Sequence, residues 1–172
     1  MSEKNCNPKT FRHTAGFGKR IEFSIIAQLL KEGADVYIPL VDDNGIDAVI
    51  RKPNGIFIEV QIKARSKEVT PGDEALFAAI RHNQRLNYWF IFHAEKIFDK
   101  NSGEYIPMTW VLSSREFIAE SCENKNGKNK GLRSIWFNGK RGGKPYAKER
   151  YNKYLAKPER LSERLLNENP DL

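Results

Sequence analysis

The sequence is poor in cysteine and lacks any long apolar run. Its 172 residues include only Cys6 and Cys122, which are far apart and lack the spacing of a metal site. This pattern excludes a disulfide framework and a cysteine-ligated zinc site, and it predicts two free thiols in a reducing compartment. No run of about 18 apolar residues is present, and no apolar N-terminal segment precedes a small-residue cleavage site. We therefore expect a cytoplasmic protein that does not span a membrane.

Common motifs for nucleotide binding and nucleophilic catalysis are also missing. The chain has no glycine-rich phosphate loop, no Cys-x-x-Cys pair and no Gly-x-Ser-x-Gly turn, so it lacks the signatures of several large enzyme classes. His13, His82 and His93 have no ligand spacing and are predicted to be structural or exposed, with Arg81 and His82 as weaker candidates for phosphate contact. The remaining candidates for chemistry are carboxylates, amides and cations.

Positive charge is abundant and unevenly placed. The formal net charge is +7, and residues 124–164 alone carry about +10, with thirteen Lys or Arg against three acids. Such asymmetry predicts a polyanionic partner, with nucleic acid as the first candidate and an anionic membrane as the second. Interleaved aromatics either stack on bases or pack this segment onto the core, and packing is favoured. The predicted nucleic-acid contacts are Lys130, Arg133, Lys140, Arg141, Lys144, Lys148 and Arg150.

Hydrophobic periodicity predicts one mixed α/β domain with a central mixed sheet flanked by helices. We expect a flexible arm over residues 1–17, an α/β core over 18–122, and a basic helical C-terminal extension over 123–172 packed on or beside the core. Ser113 and Glu116 form a capping-box pattern at the start of one helix. Predicted helices cover 18–32, 73–80, 113–121, 145–155 and 158–167, and predicted strands cover 35–40, 45–50, 56–63, 87–94 and 108–112.

The strands over 45–50 and 56–63 carry the most informative pattern. In the second strand, aliphatic residues alternate with Glu59, Gln61 and Lys63, and a period of two places these three side chains on one face. Asp47 lies on the preceding strand, and neighbouring strands are about 4.8 Å apart. An acid beside an acid–amide–lysine row predicts a place to hold a divalent metal and a phosphate. The alternative is a salt-bridged row that faces solvent.

Glu22 is an acid in an unusual position on the first predicted helix. It precedes Ile26 and Leu29 by four and seven residues, which places it near the apolar stripe. A carboxylate directed toward a core must be paired, protonated or coordinated. Glu22 is therefore a further candidate metal ligand, unless it lies at the edge of the stripe and reaches water.

These residues together resemble the PD-(D/E)xK nuclease superfamily, most closely its Mrr-like members that have Gln in place of the second acid. The resemblance covers residues 18–65, through Gly18…Glu22, Gly45-Ile46-Asp47 and Val60-Gln61-Ile62-Lys63, and extends more loosely to about residue 112. It implies a restriction-endonuclease-like fold, phosphodiester hydrolysis that depends on Mg²⁺ or Mn²⁺, and often a homodimer. DNA is favoured over RNA as the substrate.

Carried over residue by residue, the resemblance implies that Asp47 is the motif aspartate, Gln61 the (D/E) position, Lys63 the motif lysine and Glu22 the helix-one glutamate. Two departures are Ile46, where proline is expected, and the neutral Gln61, which leaves negative charge to Asp47, Glu22 or Glu59. A competing register makes Glu59-Val60-Gln61 the motif, with Lys63 substituting for the lysine. The predicted catalytic set is Glu22, Asp47, Glu59, Gln61 and Lys63, and all of these except Lys63 are predicted metal ligands.

The neutral Gln61 leaves a second function open. A catalytically inactive nucleic-acid-binding module on the same fold would keep the basic surface without metal-dependent turnover. A third hypothesis is an ordinary α/β protein whose basic segment binds a protein or a membrane.

Overall fold

A computed structural model describes residues 9–41, 44–70, 72–141 and 144–168 of the protein. None of the helices within these ranges is long and apolar enough to cross a membrane. The described elements, in chain order, are α1 (Lys9–Lys31), β1 (Asp35–Tyr37), β2 (Ala48–Arg51), β3 (Phe57–Arg65), β4 (Leu76–Ile80), β5 (Tyr88–Phe98), β6 (Tyr105–Ser113), α2 (Ser114–Glu120), β7 (Cys122–Glu123), β8 (Arg133–Trp136), β9 (Asn138–Arg141), β10 (Lys144–Ala147), a 3-10 helix (Glu149–Tyr154) and α3 (Ser162–Asn167).

The larger sheet is mixed. Its strand order is β1-β2-β3-β5-β10-β9, and β6 also pairs with β5. The pairs β1–β2, β2–β3, β5–β6 and β10–β9 are antiparallel, whereas β3–β5 and β10–β5 are parallel. A smaller sheet has the order β4-β8-β7. The prediction of a mixed α/β fold with a central mixed sheet is confirmed.

Helix α1 covers one face of the larger sheet. Ile25, Ile26 and Leu29 are buried in the same cluster as the inward-facing residues of β3, including Val60 and Ile62. This is the apolar stripe expected from the three- and four-residue spacing. The helix begins at Lys9 rather than at the predicted Gly18, so it extends into the predicted arm over residues 1–17, of which residues 1–8 lie outside the described ones.

An aromatic cluster covers the opposite face of the sheet. Phe90 and Phe92 of β5 belong to it, together with Phe77 of β4 and Trp110 of β6. Phe137 stacks on Trp110 with a ring-centroid distance of 4.5 Å and is fully buried. The segment predicted as an extension therefore supplies core side chains and strands to both sheets.

One predicted helix is instead a strand, and another begins as a strand and continues as a 3-10 helix. Residues 76–80 form β4, in which the pairing register shifts between Phe77 and Ile80. This β-bulge directs Phe77 and Ile80 into the core at three-residue spacing, which imitates a helical period. Residues 144–147 form β10, and the following 3-10 helix buries Tyr151 and Tyr154 at its own period of three.

The other predicted helices are closer to the structure. The helix at Ser113 is confirmed, with its capping box: the Glu116 N–H donates to Ser113 Oγ, and the Ser113 N–H donates to the Glu116 carboxylate. The last predicted helix, over residues 158–167, is confined to Ser162–Asn167.

Candidate active site

Asp47 is anchored to β3 by two hydrogen bonds. It lies just before β2, is 8% exposed, and donates its backbone N–H to the Val60 carbonyl at 2.9 Å. The Ile62 N–H donates to Asp47 Oδ2 at 2.7 Å. The carboxylate thus replaces a backbone acceptor where the β2–β3 ladder has ended. This holds Asp47 next to the β3 backbone on both sides of Gln61.

Gly45 brings the Gln61 side chain against the turn that precedes Asp47. A Cβ atom at Gly45 would overlap the Gln61 carboxamide, and the Gly45 φ of +68° is in the region that favours glycine. The Tyr88 hydroxyl donates to the Gly45 carbonyl at 2.7 Å and fixes the turn from β5. Asp47 is thus bonded to the β3 residues on both sides of Gln61, and the Gln61 carboxamide lies against Gly45, two residues before Asp47.

Gln61 and Lys63 line one cleft between β3 and β4, here named the Lys63 cleft. Both side chains are half-buried and project from the face of β3 opposite to α1. The cleft has a volume of about 490 Å³. Its walls are formed by Gln61, Lys63, Ala64, Arg65, Leu76, Phe77, Ala78, Ala79, Ile80 and Arg81.

Glu59 shares the strand face of Gln61 and Lys63 but has a cationic partner of its own. Its carboxylate forms an ion pair with Arg85, whose guanidinium lies 4.4 Å from the centroid of the Tyr88 ring. Both members of the pair are about one-third exposed. Metal binding by Glu59 would require this ion pair to be given up.

Glu22 is buried, as its position beside the apolar stripe predicted. It is 7% exposed and forms an ion pair with Lys19 Nζ at 2.6 Å, one helical turn away. Pairing is one of the three states open to a carboxylate near a core. Helix α1 packs on the face of β3 opposite to Gln61 and Lys63, so the structure does not bring Glu22 into the Lys63 cleft.

The oxygen donors near Asp47 are few for a Mg²⁺ site. Within the described residues, no three His, Cys, Asp or Glu side chains form a group that could hold a metal ion. Mg²⁺ usually keeps several waters and takes only one or two carboxylates together with substrate phosphates. Asp47 and the carboxamide oxygen of Gln61 fit such a sparse, oxygen-rich site. They do not fit a site built entirely from protein ligands.

The predicted nucleic-acid contacts in the basic segment have varied environments. Arg133 donates to the Ile118 carbonyl at 3.2 Å and to Ser121 Oγ at 3.1 Å, and Lys148 donates to the Trp136 carbonyl at 2.8 Å. Arg150 lies 4.5 Å from the centroid of the Tyr151 ring and 3.6 Å from the Glu120 carboxylate. Lys130 is exposed. The side chains of Lys140, Arg141 and Lys144, in β9 and β10, lie outside the described ones.

Sequence reasoning missed a hydrogen-bonded group next to Glu59. His82 Nε2 and Ser114 Oγ are 2.7 Å apart, and the Arg85 backbone N–H donates to the same hydroxyl at 2.8 Å. Burial of the ring, followed by the charges of Arg85 and Arg133, lowers the pKa of His82 from 6.5 to about 4. Ser114 is 1% exposed, so the pair has no open nucleophile. No motif marks the group because Ser114 is 32 residues from His82.

No protein-family model matches the chain, and no curated protein matches it. Among solved structures, the chain is similar to a bacterial homing endonuclease, I-Ssp6803I, with 20% sequence identity and a TM-score of 0.44. The match covers 70% of this chain and 88% of that chain. A likeness at this level assigns neither a family nor an activity.

Proposed function

We propose that the protein is a Mg²⁺-dependent endonuclease that hydrolyses phosphodiester bonds in nucleic acid, with DNA favoured over RNA. The proposal is supported by the hydrogen bond that ties the Asp47 carboxylate to Ile62, next to Gln61 in sequence, and by the shared cleft of Gln61 and Lys63. A carboxylate, an amide oxygen and a cation in this order suit a site that binds a divalent ion against a phosphate. The resemblance to PD-(D/E)xK nucleases agrees with this arrangement.

Each side chain has a proposed role. Asp47 and Gln61 would hold Mg²⁺, which would supply Lewis-acid stabilisation of phosphate charge and a more acidic water. Lys63 would place its ammonium against a non-bridging phosphate oxygen and stabilise charge that develops in the transition state. Glu59 belongs to the proposed catalytic set as a further ligand, on the condition that it leaves Arg85. Glu22 is not included, because it pairs with Lys19 and is not among the residues that line the Lys63 cleft.

A second candidate function is a nucleic-acid-binding module without catalysis. It is favoured by the neutral Gln61 and by the absence, within the described residues, of a group of three metal-ligating side chains. This hypothesis predicts salt-dependent binding and no metal-dependent turnover.

Cleavage of plasmid and single-stranded DNA with Mg²⁺ or Mn²⁺ tests the proposal. Asp47→Asn keeps an oxygen acceptor for the Ile62 N–H while it removes the charge, and Lys63→Met keeps the length of the side chain. We expect each change to reduce the rate by about 10²–10³-fold, as removal of one preorganised electrostatic group does in other enzymes. Equal activity in the wild type and both variants would assign the cleavage to a contaminant or to another site.

Gln61→Glu adds a negative charge at the proposed metal site and so complements Asp47→Asn, which removes one. If Gln61 is a ligand, a carboxylate there should lower the Mn²⁺ concentration that gives half-maximal activity. A wild type that binds DNA without cleaving it, even at high Mn²⁺, would support the binding module instead. Circular dichroism of every variant checks that the fold is kept.

A further inference from the structure

A second cleft adjoins the Lys63 cleft at the end of β3. It has a volume of about 400 Å³ and lies between α1 and the loop after β3. Ala64 and Arg65 line both clefts, so the two share a wall. Arg20 and Lys67 line only the second one, here named the Arg20 cleft. The two clefts therefore meet at Ala64 and Arg65, where β3 ends.

Cations predominate on the walls of the two clefts. Arg20, Lys67 and Arg81 are exposed, and within the described residues their side chains make no ion pair. Arg65 Nε donates to the Leu76 carbonyl at 2.7 Å, which ties β3 to β4 and leaves the rest of the guanidinium available. Cations that face a concave surface without acidic partners attract a polyanion strongly.

Acidic residues on these walls do not cancel the excess. Glu68 and Glu95 line the Arg20 cleft. The Glu95 carboxylate accepts the Lys67 backbone N–H at 3.0 Å, so part of its capacity is used in the loop. With Lys63 included, the walls of the two clefts keep a net positive charge.

The β4 wall of the Lys63 cleft is shaped for close approach. At the bulge, Ala78 and Ala79 are exposed and line the cleft with the smallest side chains that carry a Cβ atom. Ala79 has a φ of +59°, an uncommon conformation for a residue other than glycine. Bulges and strained residues of this kind are frequent next to functional sites. The small side chains of Ala78 and Ala79 therefore leave room for a ligand in the cleft that Gln61 and Lys63 also line.

We propose that the two clefts form a single track for the phosphodiester backbone of a nucleic-acid strand. This inference rests on the proposed function and deepens it, because it names the surface that presents the substrate to Lys63. Arg20, Arg65, Lys67 and Arg81 contact successive phosphates, and the Ala78–Ala79 bulge lets the strand approach β3. The track carries more of the binding than the basic segment over residues 124–164.

Binding measured without catalysis tests the track. Fluorescence anisotropy in EDTA would follow labelled duplex DNA, single-stranded DNA and RNA of equal length across a range of salt. The cleft triple variant Arg20→Gln, Lys67→Gln, Arg81→Gln is compared with a loop triple variant Lys125→Gln, Lys128→Gln, Lys130→Gln. Both lower the net charge by three, and all six side chains are exposed.

The cleft triple variant should reduce the slope of log affinity against log salt by about three, because each phosphate contact contributes about one. The loop triple variant should change the slope by less than about one. The probe that binds most tightly to the wild type identifies the preferred strand type. Equal losses in both variants, a larger loss in the loop variant, or no binding of any probe would overturn the track.

A second pair of variants tests the path at the bulge. Ala78→Glu places an acid in the lining of the Lys63 cleft, whereas Ala78→Gln introduces a side chain of nearly the same size without charge. We expect Ala78→Glu to bind more weakly than Ala78→Gln by about the effect of one phosphate contact, and identical affinities would contradict the path. If the protein binds through the clefts and never cleaves, the track stands and the nuclease proposal fails. If the protein cleaves nucleic acid but binds it equally well without the cleft cations, the nuclease proposal stands and the track fails.

Discussion

Cations of the basic segment over residues 124–164 that lie next to the core differ from the exposed cations on the walls of the two clefts. In the segment, Arg133 and Lys148 donate to backbone carbonyls, and Arg133 has a side chain only 16% exposed. On the cleft walls, Arg20 and Arg81 are exposed and, within the described residues, form no ion pair. Charge counted along a sequence therefore does not measure the charge that a ligand can reach.

The difference arises because the basic segment is part of the core. Phe137, Tyr151 and Tyr154 are almost completely buried in the aromatic cluster, and β10 pairs with β5. Long cationic side chains next to such aromatics cover them with their stems and place their charged ends on nearby carbonyls or rings.

The largest effect expected from this comparison is on stability. Phe137→Ala should lower the free energy of unfolding by about 3–5 kcal/mol, because it removes a fully buried ring stacked on Trp110 and leaves a cavity. Urea denaturation followed by tryptophan fluorescence measures the change. Phe57→Ala is the matched control, since Phe57 is 52% exposed and should cost less than about 1 kcal/mol. Equal losses would mean that the segment is not integral to the core.

The next effect is a pH dependence that centres on His82. Its pKa is lowered to about 4 in the folded protein, whereas the unfolded value is about 6.5. Between these values the unfolded state binds the extra proton, so stability is greatest above about pH 6.5 and falls as the pH drops toward 4. With allowance for solvent at a half-buried ring, the loss is about 1–2 kcal/mol.

The variant His82→Gln isolates the contribution of His82 to the pH dependence of stability. The glutamine amide can still bond to Ser114 Oγ but has no proton to gain, so the variant should show a shallower fall in stability between pH 6.5 and 4.5. Denaturant midpoints at several pH values measure it. A remaining slope is expected from His93, whose pKa is also lowered by burial. Parallel curves for the wild type and the variant would contradict the assignment to His82.

The local pattern of the site was predictable because it depends on short-range rules. Alternation along β3 separates Gln61 and Lys63 from the residues that pack on α1, and the Asp47 carboxylate accepts the Ile62 N–H of the same strand. Burial of Glu22 also followed from its place on the helical stripe. These features can be read from the periodicity of the strand or helix and from the position of one turn.

The features that were not predictable depend on partners distant in sequence. The bulge in β4 imitates a helical spacing, and only pairing with β8 reveals that Phe77 and Ile80 belong to a strand. Glu59 is bound by Arg85, which lies 26 residues away and is contributed by the loop before β5. No local rule identifies which cation a given carboxylate will meet, so roles for Glu22 and Glu59 could be proposed but not ranked.

The smallest expected effect gives the most direct test of the comparison between the two basic regions. Lys148→Gln and Arg150→Gln remove two predicted nucleic-acid contacts whose cations already bind the Trp136 carbonyl and Glu120. Partly exposed pairs of this kind contribute about 0–1 kcal/mol, so each change should lower stability by no more than that. Because the cations are already held by protein groups, the salt slope of DNA binding should change by less than about one for the double variant. A loss of about two in the slope would show that these side chains leave their partners for phosphates, and the distinction between the basic segment and the cleft walls would then fail.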